Sequence, residues 1–65
     1  MTDFDLDAVR RDFAELTGLF EDAALIASAG QGAKSLDDGL RRFKRLSTAM
    51  RRIRRCLTIL EGRLQ

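Results

Sequence analysis

At 65 residues, with one cysteine and no histidine, the chain makes a single small domain (residues 1–65) that excludes an internal disulfide, a common zinc site and histidine-based catalysis. No apolar run approaches the roughly 18 residues of a membrane span, and the acidic start "MTDFDLD" lacks the basic and apolar regions of a signal peptide, so a reducing cytoplasm is the expected setting. Charge is segregated along the chain: residues 1–29 hold seven acids against Arg10 and Arg11, a net of −5, and residues 30–65 hold ten bases against three acids, a net of +7, within an overall +2.

From about residue 3 to 29 the spacing predicts a helix. Leu6, Val9, Phe13, Leu16, Phe20, Ala23 and Ala27 recur at alternating intervals of three and four, which puts them on one stripe of a helix. Thr2 is placed to cap it with Asp5 three residues on, and Met1 and Leu6 stand where a hydrophobic staple would close. The clustered Asp3, Asp5 and Asp7 suit the positive end of the helix dipole better than a cation site.

The glycine-rich stretch "AGQGAKS" predicts a loop over about 30–35, with Gly30 or Gly32 supplying the left-handed residue that commonly stops a helix. It brushes against the phosphate-loop pattern, but Ala33 separates Gly32 from Lys34 and four residues do not separate the glycines, so no nucleotide site is read here. Ser35 with Asp38 repeats the cap signature, opening a second helix over about 36–64. In it Phe43, Leu46, Met50, Ile53, Leu57, Leu60 and Leu64 continue the same rhythm.

The fold class expected is therefore all-α, an antiparallel two-helix hairpin. One register pairs Leu6 with Leu60, Val9 with Leu57, Phe13 with Ile53, Leu16 with Met50, Phe20 with Leu46 and Ala23 with Phe43, and would bring Ala27 to Gly39 near the loop. Beside that seam Leu19, Ile26, Ala49 and Cys56 make one flank apolar, and Leu36 and Leu40 extend apolar surface near the loop. A chain of this size buries little of its surface, so these positions are expected to meet a second hairpin in a four-helix bundle, as a homodimer, or a helix of another protein. Leu19, Ile26, Leu40, Ala49 and Cys56 are the expected interface residues.

Residues 41–55, "RRFKRLSTAMRRIRR", hold eight cations in fifteen positions. Arg42 and Arg54 flank the expected seam. Arg41, Lys44, Arg45, Arg51, Arg52 and Arg55 form a basic stripe on the outer face, about 21 Å long at 1.5 Å per residue. Part of its charge is expected to be balanced by Asp12 and Glu15 of the first helix, with Asp5 to Arg63 and Arg10 to Glu61 as further pairs. Like charges four residues apart, Arg41 with Arg45 and Arg51 with Arg55, oppose helix formation by a few tenths of a kcal/mol per pair, which points to a use beyond stability. No aromatic or amide side chain accompanies the stripe to stack on or read a base.

The function expected is that of a non-enzymatic binding module, a small cytoplasmic regulator or adaptor. It would act by protein–protein interaction on a helical partner with an acidic surface, through a hairpin with a basic outer face. The alternative is a dimeric hairpin that binds the RNA or DNA backbone through the stripe. No catalytic residue, cofactor, metal or small-molecule substrate is expected. Cys56, without a histidine to act as base, reads as a small packing residue. Lying the basic helix on an anionic membrane would require the seam that the first helix already covers.

Overall fold

The computed structural model describes residues 3–65, with side chains from Asp5 onward. It is a helical hairpin: α1 spans Asp3–Gly30 and α2 spans Leu36–Leu64, and the two pack along their lengths in a rod of 52 × 15 × 10 Å between Cα extremes. The expected boundaries hold to within a residue. The anticipated Thr2 cap and Met1 staple lie outside the described residues.

Both helices run without proline through leucine, alanine, arginine and glutamate, residues that lose little on entering a helix. Their threonines do not interrupt them, because Thr17, Thr48 and Thr58 donate back to the carbonyls of Phe13, Lys44 and Arg54 at 3.0–3.1 Å. α2 opens on Ser35, whose extended backbone (φ −160°, ψ 169°) lets its hydroxyl accept the Asp38 amide at 3.0 Å, satisfying one of the four orphan donors of a helix start. Asp38 answers by accepting from the Lys34 amide at 3.1 Å, one residue before the cap. Asp37 and Asp38 in the first turn and Arg63 in the last complement the helix dipole.

The connection departs from expectation. Among the described residues no glycine has positive φ, so neither Gly30 nor Gly32 stops α1 in the left-handed region. The chain tightens instead through three successive i→i+3 bonds of 3.1 Å, from the amides of Gln31, Gly32 and Ala33 to the carbonyls of Ser28, Ala29 and Gly30, a short 3₁₀-like exit.

The packing seam is the second departure. Val9, Leu16 and Ala23 of α1 and Leu46, Ile53 and Leu60 of α2 lie in the seam, as the sequence pattern anticipates, but the other half of the expected seam is turned out. Leu6, Phe13, Phe20, Phe43, Met50, Leu57 and Leu64 are all exposed. Their place is taken by Asp12, Leu19, Ile26 and Gly30 on α1 and by Gly39, Arg42, Ala49 and Cys56 on α2, every one buried or half-buried. Cys56 lies across from Asp12 and donates weakly to its carbonyl at 3.7 Å. The register set by Cys56 and Asp12 therefore brings Leu60 level with Val9, Ile53 with Leu16 and Leu46 with Ala23, not the pairs expected from the bulky residues.

Size explains the choice. Two helices in contact share only a narrow strip, and alanine and cysteine let their backbones approach, whereas phenylalanines at positions 13, 20 and 43 would hold them apart. The core that results is slight: Ala8, Val9, Leu16, Ala23, Ile53, Cys56 and Leu60, edged by Leu19, Leu46 and Ala49.

Candidate binding surfaces

Rotation of the seam gives the rod two unlike faces. On one, acids of α1 share grooves with bases of α2. Asp22 and Arg45 border one groove with Leu19 and Ala49, and Asp12 and Glu15 border the next with Arg52, Arg55 and Cys56. On the other, Leu6, Phe13, Phe20 and Ala27 of α1 lie beside Leu64, Leu57, Met50 and Phe43 of α2. The antiparallel count that sets Cys56 across from Asp12 puts these eight on a common face. The bulky ones are between 38% and 62% exposed, and Met50 and Leu57 border an open groove with Ser47 and Arg54.

The residues expected at an interface are thereby redistributed. Leu19, Ile26 and Ala49 are half-buried and Cys56 is buried, and they lie in or beside the seam between the protein's own helices, not on an outward flank. Only Leu40, 52% exposed, and Leu36, 94% exposed, remain open. With Phe43 they line a shallow apolar cleft beside Ser35 and Gly39 at the loop end. The bulky outward face is hidden from the sequence pattern, which places its residues in the core.

All six stripe residues are exposed. Arg41 reaches Asp38 at 3.4 Å and Arg51 donates to the Thr48 hydroxyl at 3.4 Å. Lys44, Arg45, Arg52 and Arg55 make no ion pair among the described residues, so the grooves bring opposite charges near one another without closing them. Among the described residues the one close ion pair between the helices is Asp12 with Arg63 Nε, 2.6 Å apart, its carboxylate almost wholly buried. Arg63 was expected at Asp5, and Arg10 at Glu61. Arg63 extends along the seam to the buried acid instead, where a charge taken from water has most need of a partner, and Arg10 pairs with Asp7 at 3.7 Å within α1.

Arg42 has a structural task that its place in the basic run conceals. Its Nη1 donates to the Ala29 carbonyl at 2.5 Å, capping the end of α1 from α2. Its Nε lies 3.2 Å from Asp38 Oδ1, close enough for ion pairing but off the hydrogen-bond direction. The Arg42 guanidinium, followed by the Lys34 amide, holds the Asp38 carboxyl down at about 2. Cys56 goes the other way. Burial first, then the charges of Glu15 and Asp12, push its thiol above the ordinary range, so it lacks the thiolate character of a nucleophile.

No helix among the described residues is long and apolar enough to cross a membrane, and no three metal-ligating side chains gather there. Comparison of the chain with family models, curated proteins and solved structures returns no significant match.

Proposed function

We propose that the chain is a non-enzymatic binding module, a small regulator or adaptor of the cytoplasm that works by protein–protein association. One observation carries the reading: a hairpin with a slight core leaves bulky apolar residues, three of them phenylalanines, open along a full face. A contiguous apolar surface of that extent marks an interaction site in a stable protein. The basic stripe supplies a second, polar contact for an acidic partner surface, and arginine suits it because its planar fork bonds carboxylates in pairs.

A second reading, attachment to the phosphate backbone of RNA or DNA, is favoured by the stripe cations, of which only Arg41 forms an ion pair among the described residues. The two are separated by retention from native lysate, with and without nuclease, on immobilised wild type and on the double variant Arg45→Ala/Arg52→Ala. A nuclease-resistant complex of defined composition, lost in the double variant, is the expected result. Tight nucleic-acid binding at physiological salt would reverse the order of the readings, if log affinity falls linearly with log salt by about 0.9 per phosphate on duplex DNA and the double variant flattens that slope.

A further inference from the structure

The open apolar face has a shape and a charge pattern that say what covers it. We infer that its occupant is a second copy of the chain, bound about a twofold axis parallel to the helices. α1 of each copy then lies over α2 of the other, and both loops point the same way. This deepens the protein-association reading and rests on it.

Four observations converge. The face is self-complementary in layers. With α1 over the other copy's α2 at the same level, Leu6 meets Leu64, Phe13 meets Leu57, Phe20 meets Met50 and Ala27 meets Phe43, so each layer closes on apolar side chains and small meets large at the loop end. Area is sufficient: a rod with Cα extents of 52 × 15 Å offers on the order of 800 Å² per copy, what each partner gives to a standard interface.

Charge then selects among the ways of stacking two hairpins. The α1 half carries −5 and the remainder +7, so setting α1 on α1 and α2 on α2 would oppose like charges along both pairs, with Arg54 brought near its own counterpart. Setting α1 on α2 opposes unlike ones. The few polar residues on the rim of the face agree, since Arg10 comes level with Glu61 of the second copy and Glu21 with Arg51. Among the described residues Arg10 makes one ion pair, the exposed contact with Asp7 at 3.7 Å, which costs little to exchange for another partner.

Finally, the arrangement keeps the other face available. Arg45 and Arg52, which border grooves with Asp22 and Glu15 on the opposite side, stay in solvent, and the assembly carries two basic stripes related by the axis. An isologous pair of this kind closes on itself, because the same face is used by both copies.

The test is sedimentation velocity on the full chain across micromolar concentrations, with helicity followed by circular dichroism. Wild type is expected at twice the 7.3 kDa chain mass. Phe13→Ser, at a residue 54% exposed that folding does not need, is expected to raise the dissociation constant by about tenfold or more, because a symmetric interface loses the ring twice. Leu25→Glu, on a side chain 71% exposed beside the charged grooves, is expected to leave the mass unchanged. Arg10→Glu and Glu61→Arg are each expected to weaken the dimer, and their combination in one chain to restore it.

A helical monomer at high micromolar concentration overturns the inference, as does a dimer lost in Leu25→Glu but kept in Phe13→Ser. A dimer indifferent to all charge exchanges overturns the α1-over-α2 arrangement. Arg45→Ala/Arg52→Ala should keep the dimer mass, so loss of partner retention in that variant and loss of self-association in Phe13→Ser are read independently.

Discussion

The charged face and the apolar face of the hairpin are cut from the same two helices and follow the same three-and-four rhythm, yet they differ in which side chains the seam took in. On the charged side the seam admitted Leu19, Ala49 and Cys56 and left acids and arginines along the grooves. On the apolar side it stopped at Val9, Leu16 and Ala23 and left the large residues out. The lesson is that in a two-helix unit the intrachain contact goes to the side chains that let backbones approach. Apolar bulk is then free for another layer, where more space must be filled.

The sharpest way to break that contrast is to truncate one residue from each region. Ile53, 2% exposed, sits at the centre of the seam, and Ile53→Ala should cost about 2–4 kcal/mol of stability in urea titrations. Phe20→Ala, at 51% exposed, should cost under about 1 kcal/mol in samples dilute enough to be monomeric. Equal losses would mean that the bulky face contributes as much as the seam to holding the hairpin together.

Next in size is the pair that joins the helices on the charged side. Arg63→Met strands the buried Asp12 carboxylate and should cost about 1–2 kcal/mol, less than a fully buried pair because Arg63 stays partly in water. Asp12→Ala in the same chain should recover much of that loss, since the orphaned charge is then gone. A double variant as unstable as the sum of the two singles would show that the residues act independently.

Acid should weaken the loop end. The Asp38 carboxyl is lowered from 3.8 to about 2 in the folded chain. Its contribution is fully present above its unfolded value, and falls away as pH drops from near 4 through about 2. The melting temperature should therefore decline across that window, and Asp38→Asn should already be lowered at neutral pH and lack this part of the decline. Acid melting with the wild-type profile in Asp38→Asn would assign the transition to other carboxylates.

The smallest effect expected is a gain. Gly18 and Gly62 lie inside helices, and a methyl group added at either meets nothing within 4 Å, so alanine at each should raise stability by roughly 0.5–1 kcal/mol. Thermal melts of Gly18→Ala that shift downward would reveal an approach to that surface which the lone hairpin does not make.

Much of this was legible in the residues. The two helices follow from an uninterrupted rhythm and the absence of proline, and Ser35 with Asp38 marked the second start to the residue. The seam was only half legible, because Val9, Leu16 and Ala23 are flanked on both sides by further columns, and pattern alone prefers the one richer in phenylalanine. The column that closes contains Asp12 and Arg42, whose charges disguise it. Asp12 is tolerable there only because Arg63 reaches it, and Arg42 only because it caps α1, facts of three dimensions that no spacing announces. The loop misled for a simpler reason: glycine permits a left-handed exit but does not require one.

Arg42 bridging to Ala29 also bears on how the chain finds its shape. That tie joins residues 13 apart in sequence, whereas Cys56 to Asp12 and Arg63 to Asp12 close over 44 and 51. Closing the shorter span sacrifices less chain freedom, and each contact beyond it needs only a small further closure once its neighbour has formed. The hairpin should thus zip from the loop outward, as a fast folder of local topology. Amide exchange in the native state should be graded along both helices, slowest near Ala29 and Arg42 and quickest around the Asp12 to Arg63 end, where opening begins.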